Sequence, residues 1–167
     1  MTLWLVGMMG AGKTTVGQLA ADALDKKFFD TDQEIARRMG CSVAQLWGEL
    51  GEGAFRDVER ATIARLADSD AVVSAGGGAP VDPSNRAKIS LSGRCVWLKA
   101  DPAILSERLE GGEDRPLLLG HDSREEALRQ VLSDRAAFYE DVADHEIETN
   151  SVDPAAVAAE IVRWWST

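Results

Sequence analysis

The stretch Gly7-Met8-Met9-Gly10-Ala11-Gly12-Lys13-Thr14 decides the fold of this 167-residue chain. It matches the pattern G-x-x-x-x-G-K-[ST], in which glycines let the backbone wrap around phosphate groups. The apolar run Leu3-Trp4-Leu5-Val6 precedes it, and apolar residues at helical spacing follow it from Val16 onwards. The order of strand, glycine loop and helix is the context expected of a phosphate-binding loop.

Each residue type in this loop has a predicted contact with a nucleotide. The backbone N–H groups and the helix N-terminus attract phosphates, Lys13 adds a positive charge, and the Thr14 hydroxyl can hold Mg²⁺. The loop therefore predicts a nucleotide-binding site that uses Mg²⁺. The predicted nucleotide-binding residues of this segment are Gly10, Ala11, Gly12, Lys13, Thr14 and Thr15.

The rest of the chain alternates between short apolar runs and helical patterns. Together with 3–6, the apolar runs predict strands at 27–29, 71–74, 95–98 and 145–149. The helical patterns cover about 31–39, 43–49, 53–67, 83–91, 102–109, 124–142 and 154–165. Strands separated by helices predict an α/β fold with three α/β/α layers around a central five-stranded parallel sheet.

We predict a single domain over 1–167 with two insertions. The first, about 32–60, has helical patterns throughout, and the second, about 110–123, contains Gly111, Gly112 and Gly120, which predict a mobile loop. Ligands of α/β sheets bind beyond the carboxyl ends of the strands, where both insertions are expected to project. The first is therefore predicted to bind substrate, and the second to act as a lid.

Composition excludes several classes of function. Twenty-eight acidic residues against 18 Lys and Arg give a net charge of -10, which disfavours binding to nucleic acid or anionic membranes. The apolar runs are too short to cross a bilayer and there is no basic leader, so we expect a cytoplasmic protein. Cys41 and Cys95 lack the spacing of metal ligands and are predicted to be buried thiols.

The loop predicts a nucleotide but not a reaction. A GTPase would carry an N-K-x-D segment for guanine, and the sequence has none. A motor-type ATPase would carry an apolar strand ending in Asp-Glu, whereas the run 71–74 is followed by Ala75-Gly76-Gly77-Gly78. A small-molecule kinase is therefore favoured.

Further segments occur in a fixed order along the chain. They are Phe29-Asp30-Thr31-Asp32, Phe55-Arg56, Gly76-Gly77-Gly78-Ala79, Arg115-Pro116-Leu117-Leu118, Arg135-Ala136-Ala137-Phe138-Tyr139 and 150–154. With the phosphate loop, this set resembles the shikimate kinase family over essentially the whole chain. The resemblance implies a P-loop kinase fold, a monomer, and transfer of the γ-phosphoryl group of ATP to the 3-hydroxyl of shikimate. The products would be ADP and shikimate 3-phosphate, on the chorismate route to aromatic amino acids.

Two carboxylates follow the predicted second strand. Asp30 and Asp32 are two residues apart, so they would point the same way if the strand stayed extended. By resemblance, Asp30 would hold the Mg²⁺ shell with Thr14, while Asp32 would bind the shikimate hydroxyls and orient or deprotonate the attacking one. The alternative is that Asp32 only caps a helix beginning near residue 33.

The resemblance also implies a carboxylate clamp for shikimate. Arg56 would bind the carboxylate while Glu59, on the same helical face, holds the guanidinium; the alternative is a surface ion pair. Arg135 would complete the clamp, and the glycines at 76–78 would let substrate approach the backbone. The predicted shikimate-binding residues are Asp32, Arg56, Gly76, Gly77, Gly78 and Arg135.

Three residues are assigned to the nucleotide by resemblance alone. Arg115, in the predicted lid, would neutralise the transferring phosphoryl group, so that Lys13, Asp32 and Arg115 form the catalytic set. Arg108 and Pro154 would flank the adenine ring.

Two alternatives to a shikimate kinase stay open. One is a P-loop kinase of another polyol acid such as gluconate, which would keep the nucleotide residues and change the acceptor contacts. The other is a catalytically idle nucleotide-binding module that serves as a regulator.

Overall fold

The computed structural model describes residues 1–110 and 122–167. Its five strands are β1 (Thr2–Val6), β2 (Lys27–Asp30), β3 (Ala71–Ser74), β4 (Gly93–Lys99) and β5 (His145–Glu148). They form one sheet in the order β2-β3-β1-β4-β5, and every neighbouring pair is parallel. The predicted α/β fold with a central five-stranded parallel sheet is confirmed.

Helices connect the strands and cover the sheet. They are α1 (Lys13–Ala23), α2 (Thr31–Met39), α3 (Val43–Leu66), α4 (Pro83–Ser92), α5 (Pro102–Arg108), α6 (Arg124–Val142) and α7 (Pro154–Trp165), with a 3₁₀ turn at Ala79–Val81. α1 packs against α7, and α4 packs against both α3 and α6. The chain runs outward from β1 to β2 and then back across the sheet to β5. Crossover connections between parallel strands are right-handed as a rule, and this order therefore places helices on both faces of the sheet.

The central strands form the middle of the core. β1 and β3 are buried along their whole length, as expected for strands covered on both faces. Cys95, on β4, is buried as predicted, and burial raises the pKa of its thiol. The prediction for Cys41 is wrong, because this residue lies at the edge of a smaller cluster and stays half-buried.

The insertion predicted at about 32–60 falls within α2 and α3, so its helical character is confirmed, and it has a small apolar core of its own. Ile35, Leu46 and Phe55 are buried together, apart from the main core. The two helices predicted at 43–49 and 53–67 form α3, which is interrupted at Gly51 (φ 82°, ψ 170°). Because that backbone conformation favours glycine, Gly51 sets the bend between the two halves of α3.

Two further predictions concern chain segments and membranes. Residues 111–121, which hold most of the predicted lid and Arg115, lie outside the described residues. Within 1–110 and 122–167, no helix combines the length and the apolar character needed to span a bilayer.

Candidate active site

The phosphate loop lies between β1 and α1, as predicted from the sequence. Gly7 (φ 138°) and Gly12 (φ 92°) adopt backbone conformations that side chains rarely allow. A Cβ at Gly7 would also lie 2.4 Å from the carbonyl oxygen of Leu98, so the close approach to β4 requires glycine. Lys13 is the first residue of α1, and its Nζ donates to the carbonyl oxygens of Gly7 (2.8 Å) and Met8 (2.9 Å).

Asp30 connects the phosphate loop to the start of α2. Its Oδ1 accepts hydrogen bonds from the backbone N–H groups of Asp32 (3.0 Å) and Gln33 (3.3 Å), which caps the helix. Its Oδ2 accepts the Thr14 hydroxyl at 2.8 Å. A carboxylate and a hydroxyl therefore converge beside the phosphate loop, and oxygen ligands of this kind suit Mg²⁺.

The prediction that an extended backbone points Asp30 and Asp32 the same way is wrong. Helix α2 begins at Thr31, so the backbone is not extended between the two carboxylates, and Asp30 rather than Asp32 caps the helix. Both residues nevertheless line one cleft, because the strand end carries Asp30 and the first helical turn brings Asp32 back beside it.

A cleft of about 680 Å³ covers the carboxyl ends of β1, β2 and β3. This is the edge at which parallel sheets of this kind bind ligands. The predicted nucleotide residues that line it are Gly10, Ala11, Gly12, Lys13, Thr14, Thr15, Arg108 and Pro154. Asp30, Asp32, Gly76 and Gly77 line it as well, so nucleotide and acceptor predictions meet in one cavity.

Arg108 is fixed at the end of this cleft by the backbone around Thr149. Its guanidinium donates to the carbonyl oxygen and the hydroxyl of Thr149, and Nη1 lies 3.4 Å from the carbonyl oxygen of Gly10. Thr149 is buried and also contacts the carbonyl oxygen of Ala11 at 3.5 Å. Thr149 is not among the residues predicted from the sequence, because a lone threonine after a strand has no distinguishing pattern.

The glycine turn at 76–78, which follows β3, is surrounded by the charged side chains predicted for the acceptor. A Cβ at Gly76 would lie 2.8 Å from Asp32 Oδ1 and 3.2 Å from Glu59 Oε1. A Cβ at Gly78 would lie 2.6 Å from Arg56 Nη2, and one at Gly77 would lie 3.6 Å from Arg135 Nη1. The three glycines therefore leave room for four charged side chains to converge, and the structure brings the predicted acceptor residues together.

The buried carboxylate of Glu59 holds the Arg56 guanidinium in place. The Arg56 Nη1 atom donates to Glu59 Oε2 at 2.8 Å, and Glu59 is 1% exposed, so this is not a surface ion pair. Burial raises the pKa of Glu59, and nearby Asp32 adds to this, while Arg56 and Arg135 oppose it. The guanidinium of Arg56 also lies over the Trp47 ring at 5.3 Å, which restricts it further.

The sequence of this chain matches one family of known proteins. The family model described as shikimate kinase matches residues 9–166. A shikimate kinase of Paramagnetospirillum magneticum is 41% identical over 96% of this chain and 82% of its own length, and one of Chromohalobacter salexigens is 40% identical over 97% and 90%.

Solved structures agree with the sequence matches. A shikimate kinase from Acinetobacter baumannii in complex with shikimate has a TM-score of 0.93 and 34% identity, covering 98% of this chain and 91% of its own. A shikimate kinase from Bacteroides thetaiotaomicron has a TM-score of 0.90 and 31% identity, covering 100% and 99%. These structures show the P-loop kinase fold. The chain belongs to the shikimate kinase family.

Proposed function

We propose that this protein transfers the γ-phosphoryl group of ATP to the 3-hydroxyl of shikimate, giving shikimate 3-phosphate and ADP. The observation that carries the proposal is the glycine turn at 76–78, where the cleft lined by the phosphate loop meets Arg56, Asp32 and Arg135. Two cations and a carboxylate suit an acceptor that has one carboxylate and several hydroxyls. The family match favours shikimate over gluconate and over a module without activity.

The nucleotide side of the site would hold ATP through the phosphate loop. The N–H groups of 10–15 and Lys13 would bind the phosphates, and Thr14 and Asp30 would hold Mg²⁺, which neutralises phosphate charge when bound. Arg108 and Pro154 would lie on the two faces of adenine, since both line the cleft and Arg108 is held in place by Thr149.

The acceptor side would place the hydroxyl in line with the phosphate. Phosphoryl transfer through a loose transition state needs little help from a base, so Asp32 would act mainly by binding and orienting the attacking hydroxyl. Arg56 and Arg135 would bind the carboxylate at the other end of the ring. Holding both ends of shikimate would fix the angle at which its hydroxyl attacks the γ-phosphate. Most of the rate enhancement would come from this alignment.

Three further parts of the proposal come from the sequence. Arg115, outside the described residues, would neutralise the transferring group when the segment 110–123 covers the site. Exclusion of water at that moment would favour the sugar-like hydroxyl over hydrolysis. We also propose a monomer that acts in the cytoplasm, where ATP is available, with neither nucleic acid nor a membrane as partner. Size-exclusion chromatography with light scattering tests the monomer.

A coupled ADP-release assay tests the function directly. The protein is incubated with ATP and Mg²⁺ and with shikimate, gluconate or no acceptor, while Mg²⁺ is varied in the shikimate arm. We expect ADP formation only with shikimate and only with Mg²⁺. Folded protein that releases no additional ADP with shikimate would contradict the proposal.

Arg56→Ala tests the acceptor site separately. Losing a hydrogen bond to a charged group costs about 1.5 to 3 kcal/mol, so calorimetry should show roughly 10- to 150-fold weaker shikimate binding with ATP affinity unchanged. Arg56→Lys should restore only part of it, because one ammonium cannot replace the planar fork. Arg60→Ala is the matched control, since Arg60 lies on the same helix and pairs with Asp57 and Asp82 at the surface. Unchanged shikimate affinity in Arg56→Ala would mean that Arg56 does not bind the acceptor and has only a structural role.

A further inference from the structure

Tyr139 is the single tyrosine of the chain and lies completely buried beneath the candidate active site. It belongs to α6, one helical turn after Arg135. Its ring packs against Trp97 with centroids 5.5 Å apart, and its hydroxyl points toward the glycine turn. A buried ring needs no hydroxyl for packing alone, so the partners of the hydroxyl indicate what it does.

The hydroxyl of Tyr139 fixes the glycine turn beside Arg135. It donates to the carbonyl oxygen of Gly77 at 2.6 Å. The Arg135 guanidinium lies against the same residue, since its Nη1 would lie 3.6 Å from a Cβ at Gly77. The phenol therefore holds the backbone of Gly77 directly next to Arg135.

The same hydroxyl reaches the phosphate loop. It lies 3.6 Å from the Met8 sulfur, a weak acceptor that faces the same side. A Cβ at Gly77 would lie 3.4 Å from the carbonyl oxygen of Gly7, so the turn and the loop are in close contact there. Because the phenol has one proton and donates it to Gly77, the contact with the Met8 sulfur adds little, and the hydroxyl acts mainly on the substrate turn.

Burial strengthens the hydrogen bond between Tyr139 and Gly77. Arg135 is only 8% exposed, so its direction depends on protein neighbours rather than on water. Burial also raises the pKa of Tyr139, although Arg135 opposes this, which keeps the phenol protonated and able to donate. Removal of the hydroxyl would leave the Gly77 carbonyl without this partner and would loosen the turn that Arg135 packs against.

We propose that Tyr139 is a positioning residue that aims Arg135 and the Gly77 backbone at the acceptor carboxylate. This inference rests on the proposed function and adds to it a residue that is not expected to touch the substrate. We therefore expect loss of the hydroxyl to raise KM for shikimate and to leave KM for ATP unchanged.

Tyr139→Phe tests the proposal, because it keeps the ring and removes only the hydroxyl. With the Gly77 carbonyl left without its buried partner, we expect kcat/KM for shikimate to fall about 10- to 100-fold, mainly through KM, while KM for ATP is unchanged. Thr2→Val is the matched control, since it removes a buried hydroxyl bonded to the carbonyl oxygen of Ala67 at the opposite end of β1. The control should lower the melting temperature and leave both KM values unchanged.

A double-mutant cycle separates positioning from packing. If Tyr139 acts through Arg135, adding Tyr139→Phe to Arg135→Ala should change KM for shikimate little further. Additive effects, equal losses for ATP and shikimate, or a Tyr139→Phe protein that does not fold would each overturn the inference. If the wild-type protein is active with shikimate and Tyr139→Phe has wild-type constants, the inference alone fails. Folded wild-type protein that is inactive with shikimate would overturn the proposed function, and this inference with it.

Discussion

The two halves of the candidate active site are built in different ways. The phosphate-binding part of the nucleotide half is one continuous segment, 7–14, whose shape depends on backbone conformation at Gly7 and Gly12. The acceptor half is assembled from side chains on separate elements: Arg56 and Glu59 on α3, and Arg135 on α6. We infer that the first half is set by the backbone of the sheet edge, and the second by buried charges that hold one another.

Glycines show the same contrast. At Gly7 the obstacle to a side chain is the backbone oxygen of Leu98, which cannot move without disturbing β4. At Gly78 the obstacle is the end of the Arg56 side chain, which can swing away. At Gly48, in α3, no atom lies within 4 Å of an added Cβ. The free-energy cost of replacing glycine by alanine should therefore decrease from the phosphate loop to the glycine turn and then to the insertion.

Lys13→Ala should have the largest effect and should affect the nucleotide half alone. Removing one preorganised charge from a transferring phosphate costs about 100- to 1000-fold in kcat. Binding of shikimate without nucleotide, measured by calorimetry, should be unchanged, because the hydrogen bonds of Lys13 to Gly7 and Met8 hold it in the phosphate loop. Lys88→Ala, on the exposed face of α4, is the control and should be fully active. A near-wild-type rate in Lys13→Ala would mean that the phosphate site lies elsewhere.

The difference between the halves also explains what could be predicted from the sequence. The phosphate loop is contiguous, so its position between β1 and α1 follows from a motif and its flanking periodicity. Glu59 was found because it is three residues from Arg56 on one helix. Thr149 and the hydroxyl of Tyr139 act across distances of 41 and 62 residues in sequence, on Arg108 and Gly77, and no local pattern reports such contacts.

Gly78→Ala should damage the acceptor half while sparing the fold. The new Cβ would lie 2.6 Å and 2.9 Å from the two Arg56 terminal nitrogens, so the guanidinium must move. We expect KM for shikimate to rise about 10- to 100-fold, equivalent to about 1.4 to 2.8 kcal/mol, with KM for ATP unchanged. Gly53→Ala is the control, because nothing lies within 4 Å of its Cβ. An equal rise in KM for ATP would show that the two halves are not independent.

Gly17→Ala should affect stability and leave the site intact. Gly17 is buried in α1, and a Cβ there would lie 2.6 Å from the Phe28 ring and 3.0 Å from Leu5 Cδ1. Overpacking of this kind costs about 1 to 3 kcal/mol, from which the better helix propensity of alanine removes up to about 1. We expect a melting temperature lower by up to about 12 °C and unchanged KM values at 25 °C. A higher melting temperature would show that Phe28 moves aside freely.

Gly48→Ala should have the smallest effect, and of opposite sign. Gly48 is an exposed helical residue of α3 with open space around it, so alanine adds helix propensity and meets no obstacle. We expect the free energy of unfolding to rise by about 0.5 to 1 kcal/mol. Gly40→Ala is the matched variant: its surroundings are equally open, but its φ of 70° at the end of α2 should cost about 1 to 2 kcal/mol in alanine. Denaturant titration gives the free energy of unfolding of both variants. Their difference separates the effect of backbone conformation from the effect of space around the new side chain. If both variants were stabilised, the left-handed conformation at Gly40 would not restrict the chain, and the contrast between loop and insertion would rest on packing alone.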